Sequence, residues 1–135
     1  MKRILIILMI IATSISCSKN DDSNSDNEIV GKWKLMRAEF YGFEGENSIN
    51  YTNRDIIYNF KSNGTLKVTG EENAGYPSGE YEYFFGRDYL GGNTNDPKTL
   101  LVKINTSKWI YNFIDGEMVL GQSYIDGPNL VFKKE

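Results

Sequence analysis

Residues 109–120 read WIYNFIDGEMVL, and this stretch decides the fold. Asp115 and Gly116 separate two runs that are rich in apolar and aromatic residues. An Asp-Gly pair in that setting is one of the strongest sequence signals of a two-residue β-hairpin, because both residues tolerate the positive φ that the turn requires. The aromatic residues of the first run stand at every second position, which is the period of a strand with one buried face. The sequence therefore predicts two antiparallel strands joined at this turn.

The same alternation recurs along most of the chain. Ile56, Tyr58 and Phe60, for example, share one face of a predicted strand. Residues 40–54 are expected to be irregular, with one short helical turn at most, and residues 86–97 are expected to form a loop. Eight strands are expected, at residues 29–39, 55–60, 65–70, 79–85, 99–104, 108–114, 117–122 and 129–134. Period-two segments separated by turn residues indicate an antiparallel all-β domain.

The order of these strands predicts the architecture. Eight short sequential hairpins form an up-and-down meander, and closing the meander into a barrel removes its unpaired edges. We therefore expect an eight-stranded antiparallel up-and-down barrel, with a flat or sandwiched sheet as the alternative. Eight strands enclose an interior just wide enough to be filled by side chains or to hold one small ligand.

The N-terminus has the pattern of a secretory signal peptide. Lys2 and Arg3 precede an apolar run at residues 4–12, and small residues follow it. A membrane-spanning helix needs about 20 apolar residues, so this run is too short to span. A positive start, a short apolar stretch and small residues are typical of a signal peptide, here residues 1–16. The alternative is a buried N-terminal strand or helix of the fold.

The residues before Cys17, which is the only cysteine in the chain, resemble the lipobox of bacterial lipoproteins. The resemblance implies that the signal peptide is cut just before Cys17 and that this residue is then acylated. Cys17 would become the first residue of the mature chain and its membrane anchor, since several acyl chains on one residue hold firmly to a bilayer. The alternative is a buried or free thiol.

The residues that follow the cysteine are expected to form a disordered tether, which with Cys17 occupies residues 17–27. Residues 18–27 have no large apolar side chain and cannot bury enough surface to offset their ordering entropy. Asp22, Asn24 and Asp26 have the spacing that opens an EF-hand loop, but the required glycine and glutamate are missing further on, so no metal site is expected. SKNDD, residues 18–22, resembles the short signals that send some lipoproteins to the outer face of the outer membrane, so we expect a lipid-anchored, surface-exposed protein there.

Composition excludes several classes of function. The formal charge is −3, and it becomes −5 once Lys2 and Arg3 leave with the signal peptide. No basic, aromatic-rich face suggests nucleic-acid binding. The chain has no histidine and no thiol besides Cys17, which removes the commonest general base and the commonest transition-metal ligand. We therefore expect no enzyme, no cofactor and no metal, and a single folded domain at residues 28–135.

Gly31, Lys32 and Trp33 open the first predicted strand and look like the Gly-x-Trp signature of lipocalins. The domain as a whole resembles the short lipocalin-like domains of bacterial lipoproteins through IVGKWKL, YNFKSNGTL, WIYNFIDGEMVL and LVFKK, in that order. The resemblance implies a lipocalin-like barrel in which Gly31 and Trp33 are structural. Gly31 would allow a bend or a close approach, and Trp33 would plug the barrel with its indole N–H on a carbonyl rather than contact a ligand.

Four tyrosines are candidates for contact with a ligand, because their strands aim them inward and a buried hydroxyl needs a polar partner. They are Tyr58, Tyr81, Tyr83 and Tyr111. The first functional hypothesis is an envelope lipoprotein whose barrel binds a small apolar or amphipathic ligand. The alternative is a filled barrel that serves as a protein–protein interaction or structural module of the cell envelope. The other inward aromatics are expected to be core: Phe60, Phe85, Trp109, Phe113 and Phe132.

Overall fold

The computed structural model describes residues 28–42 and 44–135. The predicted signal peptide, Cys17 and the tether lie outside these residues. Nine strands and one 3₁₀ turn, Ser123–Ile125, make up the described part. The strands are β1 Gly31–Gly42, β2 Gly45–Asn50, β3 Ile57–Phe60, β4 Thr65–Thr69, β5 Gly79–Asp88, β6 Thr99–Ile104, β7 Ser107–Ile114, β8 Glu117–Gly121 and β9 Asn129–Lys134.

The strands form a closed antiparallel barrel. Neighbours pair in the order β2-β1-β3-β4-β5-β6-β7-β8-β9, and β9 pairs again with β1. Leu35 opposes Phe132 in this closing ladder. Strand β1 and strands β3 to β9 are the eight barrel strands, joined in chain order, so the predicted lipocalin-like up-and-down barrel is confirmed. We call the end where β1 begins the floor and the opposite end, where β4 ends, the mouth.

The turns are those that the sequence indicates. Asp115 and Gly116 both have positive φ, at 53° and 80°, between the paired residues Ile114 and Glu117. Positive φ at both central positions is what a tight type I′ hairpin requires. Gly64 also has a positive φ, at 82°, in the turn between β3 and β4.

One segment differs from the expectation. Residues 40–42 and 45–50 are not irregular as expected, because β1 continues to Gly42 and pairs with β2 from Arg37↔Asn50 to Gly42↔Gly45, whereas residues 51–54 lie outside the strands as expected. All six residues of β2 are exposed, so this strand has no buried face and no apolar alternation to reveal it. It is held by its ladder to β1. Strand β5 is also longer than expected and continues to Asp88, opposite Thr99.

Strand β5 divides its pairing between two neighbours. Its first half pairs with β4, ending at Glu82 opposite Thr65, and its second half pairs with β6, beginning at Tyr83 opposite Ile104. A stagger between neighbouring strands is required for a sheet to close. Because of this stagger, Tyr81 lies in the part of β5 that pairs with β4, and Tyr83 lies in the part that pairs with β6.

The barrel encloses one hydrophobic core. Tyr58 and Phe60 of β3 are fully buried, and their rings pack edge-on against Phe132 and Tyr83 with centroids 4.9 Å and 5.0 Å apart. Edge-on aromatic pairs add to the stabilisation from burial itself. In the part of the chain that the structure describes, no residue classed as polar or charged is buried. The interior is therefore packed with apolar and aromatic side chains.

Candidate functional site

The floor is closed by the first described residues. The indole Nε1 of Trp33 donates a hydrogen bond of 2.7 Å to the carbonyl oxygen of Ile29, and the Trp33 side chain is only 2% exposed. Lys134 Nζ lies 4.6 Å from the centre of the Trp33 ring and donates to the carbonyl oxygen of Val30. Gly31 has φ 128°, a backbone conformation that side chains rarely adopt, so the backbone favours glycine there.

Tyr111 is also held from the floor side. Its hydroxyl donates to Glu28 Oε1 over 2.9 Å, and its ring packs edge-on against Phe85 with centroids 4.8 Å apart. Burial, and then the hydrogen bond to Glu28, raises the pKa of the Tyr111 hydroxyl. This hydroxyl therefore stays protonated and is already bonded within the protein.

The mouth is occupied by the connection between β4 and β5, residues 70–78, which we call the mouth loop. The Tyr58 hydroxyl donates to Asn73 Oδ1 over 2.8 Å and accepts from the backbone N–H of Tyr76 over 2.9 Å. The indole Nε1 of Trp109 donates to the Tyr76 hydroxyl over 2.9 Å. A Cβ on Gly75 would stand 2.4 Å from the Tyr58 hydroxyl oxygen. Burial raises the pKa of Tyr58, as expected of a phenol shut away from water.

The remaining two tyrosines on β5 are bonded at different places. The Tyr81 hydroxyl donates to the carbonyl oxygen of Pro77 over 2.7 Å, and its ring packs against Tyr76. The Tyr83 hydroxyl donates to the carbonyl oxygen of Lys61 over 2.6 Å, beside the turn between β3 and β4.

The four candidate tyrosines therefore do not converge on one space. Tyr58 and Tyr81 meet through Tyr76 of the mouth loop, Tyr83 lies by the β3–β4 turn, and Tyr111 is bonded to the floor. All four hydroxyls have protein partners.

Small grooves lie along the described part of the barrel. One groove of about 230 Å³ follows the turn between β3 and β4. Its lining residues are Ser62, Gly64, Tyr83, Phe84 and Phe85. A second groove, of about 260 Å³, lies between β1 and β2 and is lined by Arg37, Glu39, Tyr41, Glu46, Asn47 and Ser48.

The groove between β1 and β2 contains a charge cluster that the sequence reasoning missed. Arg37 contacts Glu39 Oε1 through Nε at 2.7 Å and binds both oxygens of Glu117 through Nη1 and Nη2 at 3.1 Å and 3.0 Å. Hydrogen bonding from Arg37 lowers the pKa of Glu117, and hydrogen bonding to Glu39 raises that of Tyr41. The sequence pattern that could have predicted this cluster is the spacing of Arg37, Glu39 and Tyr41 at every second position. That spacing places the three side chains on one face of a strand.

Several large apolar side chains remain exposed on the described surface. At the floor end these are Phe113 and Ile114, 51% and 57% exposed, beside the Asp115 turn, so the expectation that Phe113 belongs to the core is wrong. The others are Tyr41, Ile49, Phe84, Tyr124 and Ile125.

No family model, curated protein or solved structure matches this chain. Within residues 28–42 and 44–135, no group of three or more acidic, histidine or cysteine side chains is placed to hold a metal ion. None of the helices found in that part has the length and apolar character to cross a membrane.

Proposed function

We propose that this protein is a lipid-anchored envelope lipoprotein whose filled, lipocalin-like barrel is a protein–protein interaction or structural module. The observation that carries this choice is that Tyr58, Tyr81, Tyr83 and Tyr111 each bond to another part of the same chain. A hydroxyl that already bonds within its own chain has no need of a ligand as its partner.

Ligand binding inside the barrel is less well supported, because access would require the mouth loop to leave. Its departure would break the bonds of Tyr58 to Asn73 and Tyr76 and expose the packed face of Gly75. Small-molecule sites usually have volumes of about 300–1,000 Å³. The two grooves described above, at about 230 and 260 Å³, fall below that range.

The membrane anchor is the part of the proposal that comes from the sequence. Cys17 stands between the short apolar run at residues 4–12 and the polar stretch at residues 18–27. A lipidated cysteine followed by a polar tether would hold the barrel at the outer membrane, and the resemblance of residues 18–22 to surface signals favours display at the outer face.

The hairpin of β1 and β2 is the surface best suited to a protein partner. Strand β2 is exposed throughout and stands at the end of the strand order, paired with β1 alone. A strand with an unpaired side can accept another strand by backbone hydrogen bonding. Ile49, 44% exposed, adds an apolar contact on this strand.

The test is cross-linking in the native envelope. A photoreactive amino acid replaces Ile49 in the full chain, and a matched protein carries it at Lys67, an exposed position on β4. An interaction module using β2 gives a discrete protein adduct from position 49 and none from position 67. Equal labelling from both positions, or none from either, contradicts the proposed surface.

A parallel measurement separates the two functional hypotheses. The protein is extracted from its envelope and examined by native mass spectrometry, and its melting is followed with fatty acids, sterols and haem-like compounds. A filled module carries no stoichiometric small molecule and shows no thermal shift. A co-purified molecule at one per chain would overturn the filled-barrel proposal in favour of ligand binding.

A further inference from the structure

Two exposed apolar residues stand at the floor end of β7. Phe113 and Ile114 immediately precede the turn at Asp115 and Gly116 and are 51% and 57% exposed. Phe113 opposes the fully buried Met118 in the ladder with β8, yet half of its side chain is exposed. We call Phe113 and Ile114 the floor pair. Successive residues of a strand point to opposite faces, so Phe113 stands on the face of Met118 and Ile114 on the face of Glu117.

The described chain begins at the same end. The Glu28 carboxylate accepts a hydrogen bond from the hydroxyl of Tyr111, which lies two positions before Phe113 on β7. The carbonyl oxygen of Ile29 accepts a hydrogen bond from the indole N–H of Trp33. The Trp33 ring meets the Phe113 ring edge-on, with centroids 6.3 Å apart. The described chain therefore begins beside the floor pair.

The length of chain outside the structure limits how far this end can lie from a membrane. Residues 18–27 link Cys17 to Glu28. A fully extended chain spans about 3.3–3.6 Å per residue, so ten residues reach at most about 35 Å. A tether of that length keeps the floor pair at a high effective concentration near the bilayer surface.

Charges at the floor are mixed and contribute little by themselves. Lys133 opposes Glu117, and Lys134 lies over Trp33, so two cationic side chains are close to the floor pair. Asp115 and Glu135 are at the same end and offset them. The apolar pair is therefore the main contribution to any contact with lipid.

We propose that Phe113 and Ile114 insert into the boundary between headgroups and acyl chains of the bilayer that holds Cys17. This inference rests on the lipid anchor of the proposed function. Apolar side chains can lie in that interface, and two contacts of modest strength are enough when an anchor already holds the protein there. The barrel would then stand on its floor, with the mouth loop turned away from the membrane.

The test uses the full, lipidated chain in vesicles of phosphatidylethanolamine and phosphatidylglycerol, with acyl chains either plain or brominated. The variant Trp109→Phe serves as the background, so that Trp33 supplies the indole fluorescence. Bromine quenches an indole that lies near it. Docking of the floor predicts Trp33 emission at least about twofold lower in brominated than in plain vesicles.

Two double variants of this background protein test whether the floor pair enters the bilayer. Phe113→Ser combined with Ile114→Ser should remove most of the quenching. Quenching is measured as the ratio of Trp33 emission in plain vesicles to that in brominated vesicles. Any change in emission caused by the lost Phe113–Trp33 contact affects both values and cancels in the ratio. Tyr124→Ser with Ile125→Ser is the matched control, because these side chains are 40% and 59% exposed at the mouth end. The control should keep the quenching of the background protein. If the double floor variant does not fold, Ile114→Ser alone should still lower the quenching.

Sedimentation of the same vesicles separates this inference from the anchor. Protein that pellets with vesicles but shows equal emission in both lipid types overturns docking and leaves the anchor standing. Quenching that survives loss of the floor pair also overturns docking. Protein that fails to pellet overturns the anchor and the docking together.

Discussion

The backbone of Gly75 lies so close to the hydroxyl of Tyr58 that a Cβ at residue 75 would stand 2.4 Å from the hydroxyl oxygen. The same Cβ would stand 2.7 Å from Leu130 Cδ1. Both neighbours are fully buried, so neither can move aside without disturbing the core. This contact fixes the mouth loop in the barrel and requires glycine at its centre.

Gly75→Ala should therefore destabilise the protein. Overpacking a well-filled site costs about 1–3 kcal/mol of the free energy of unfolding. Denaturant unfolding of the purified protein measures the loss, and Gly91→Ala is the control, because a Cβ at Gly91 meets nothing within 4 Å. Equal stability of the two variants would show that the mouth loop is not seated against Tyr58.

Trp33→Ala should lower the free energy of unfolding by about 3–5 kcal/mol, the usual cost of deleting a buried large aromatic side chain. The side chain is almost wholly buried, and its loss also leaves the Ile29 carbonyl without the indole N–H. Denaturant melts of the variant and of the exposed-site control Tyr124→Ala provide the comparison. A loss below about 1 kcal/mol would be typical of an exposed position and would contradict the role of a plug.

Cys17→Ala should release the protein from the membrane. The substitution removes the thiol that carries the acyl chains and with it the anchor that the sequence predicts. Cell fractionation followed by detection of the protein in pellet and supernatant measures the change. Ser18→Ala is the matched control and should stay in the pellet. A Cys17→Ala protein that pellets like the parent would disprove lipid anchoring.

Glu117→Gln should weaken the protein slightly and flatten its response to acid. Arg37 lowers the pKa of Glu117 below the ordinary value of 4.5, so the ionised form is favoured in the folded protein. The stabilisation is present above pH 4.5 and disappears as the pH falls through the lower pKa of the folded state. At pH 7 the effect should stay within about 1 kcal/mol, because Arg37 is partly exposed and its pair is screened by solvent.

The measurement is the free energy of unfolding of parent and variant between pH 7 and acid. Glu72→Gln, at an exposed position of the mouth loop, is the control and should leave the difference between neutral and acid conditions as in the parent. An unchanged acid response in Glu117→Gln would mean that the contact with Arg37 does not persist in solution.

Much of the barrel could be predicted because its signals are local. The alternation of Tyr58 and Phe60 and the turn at Asp115 and Gly116 depend on neighbouring residues alone, and these features are found where the sequence places them. Strand β2 could not be predicted in this way. Its sequence, GENSIN, contains one large apolar residue, Ile49, and no buried face.

The candidate site was less accessible to sequence reasoning because its contacts join distant residues. The partner of the Tyr58 hydroxyl is 15 positions away, and that of the Tyr111 hydroxyl is 83 positions away. Alternation predicted that these rings face inward, but it carries no information on which group meets each hydroxyl. The position of Gly75 at the mouth depends on the path of an irregular loop. Such a loop has no periodic sequence pattern from which its path could be predicted.

The closing ladder between β1 and β9 also has a consequence for how the chain folds. Leu35 meets Phe132 across nearly the full length of the domain, so the barrel cannot close until its last strand is present. Contacts between residues so far apart in sequence are slow to form, and barrels of this kind fold in milliseconds to seconds. A chain that does not yet have β9 therefore cannot form the closing ladder, and its first strand stays without the partner that completes the barrel.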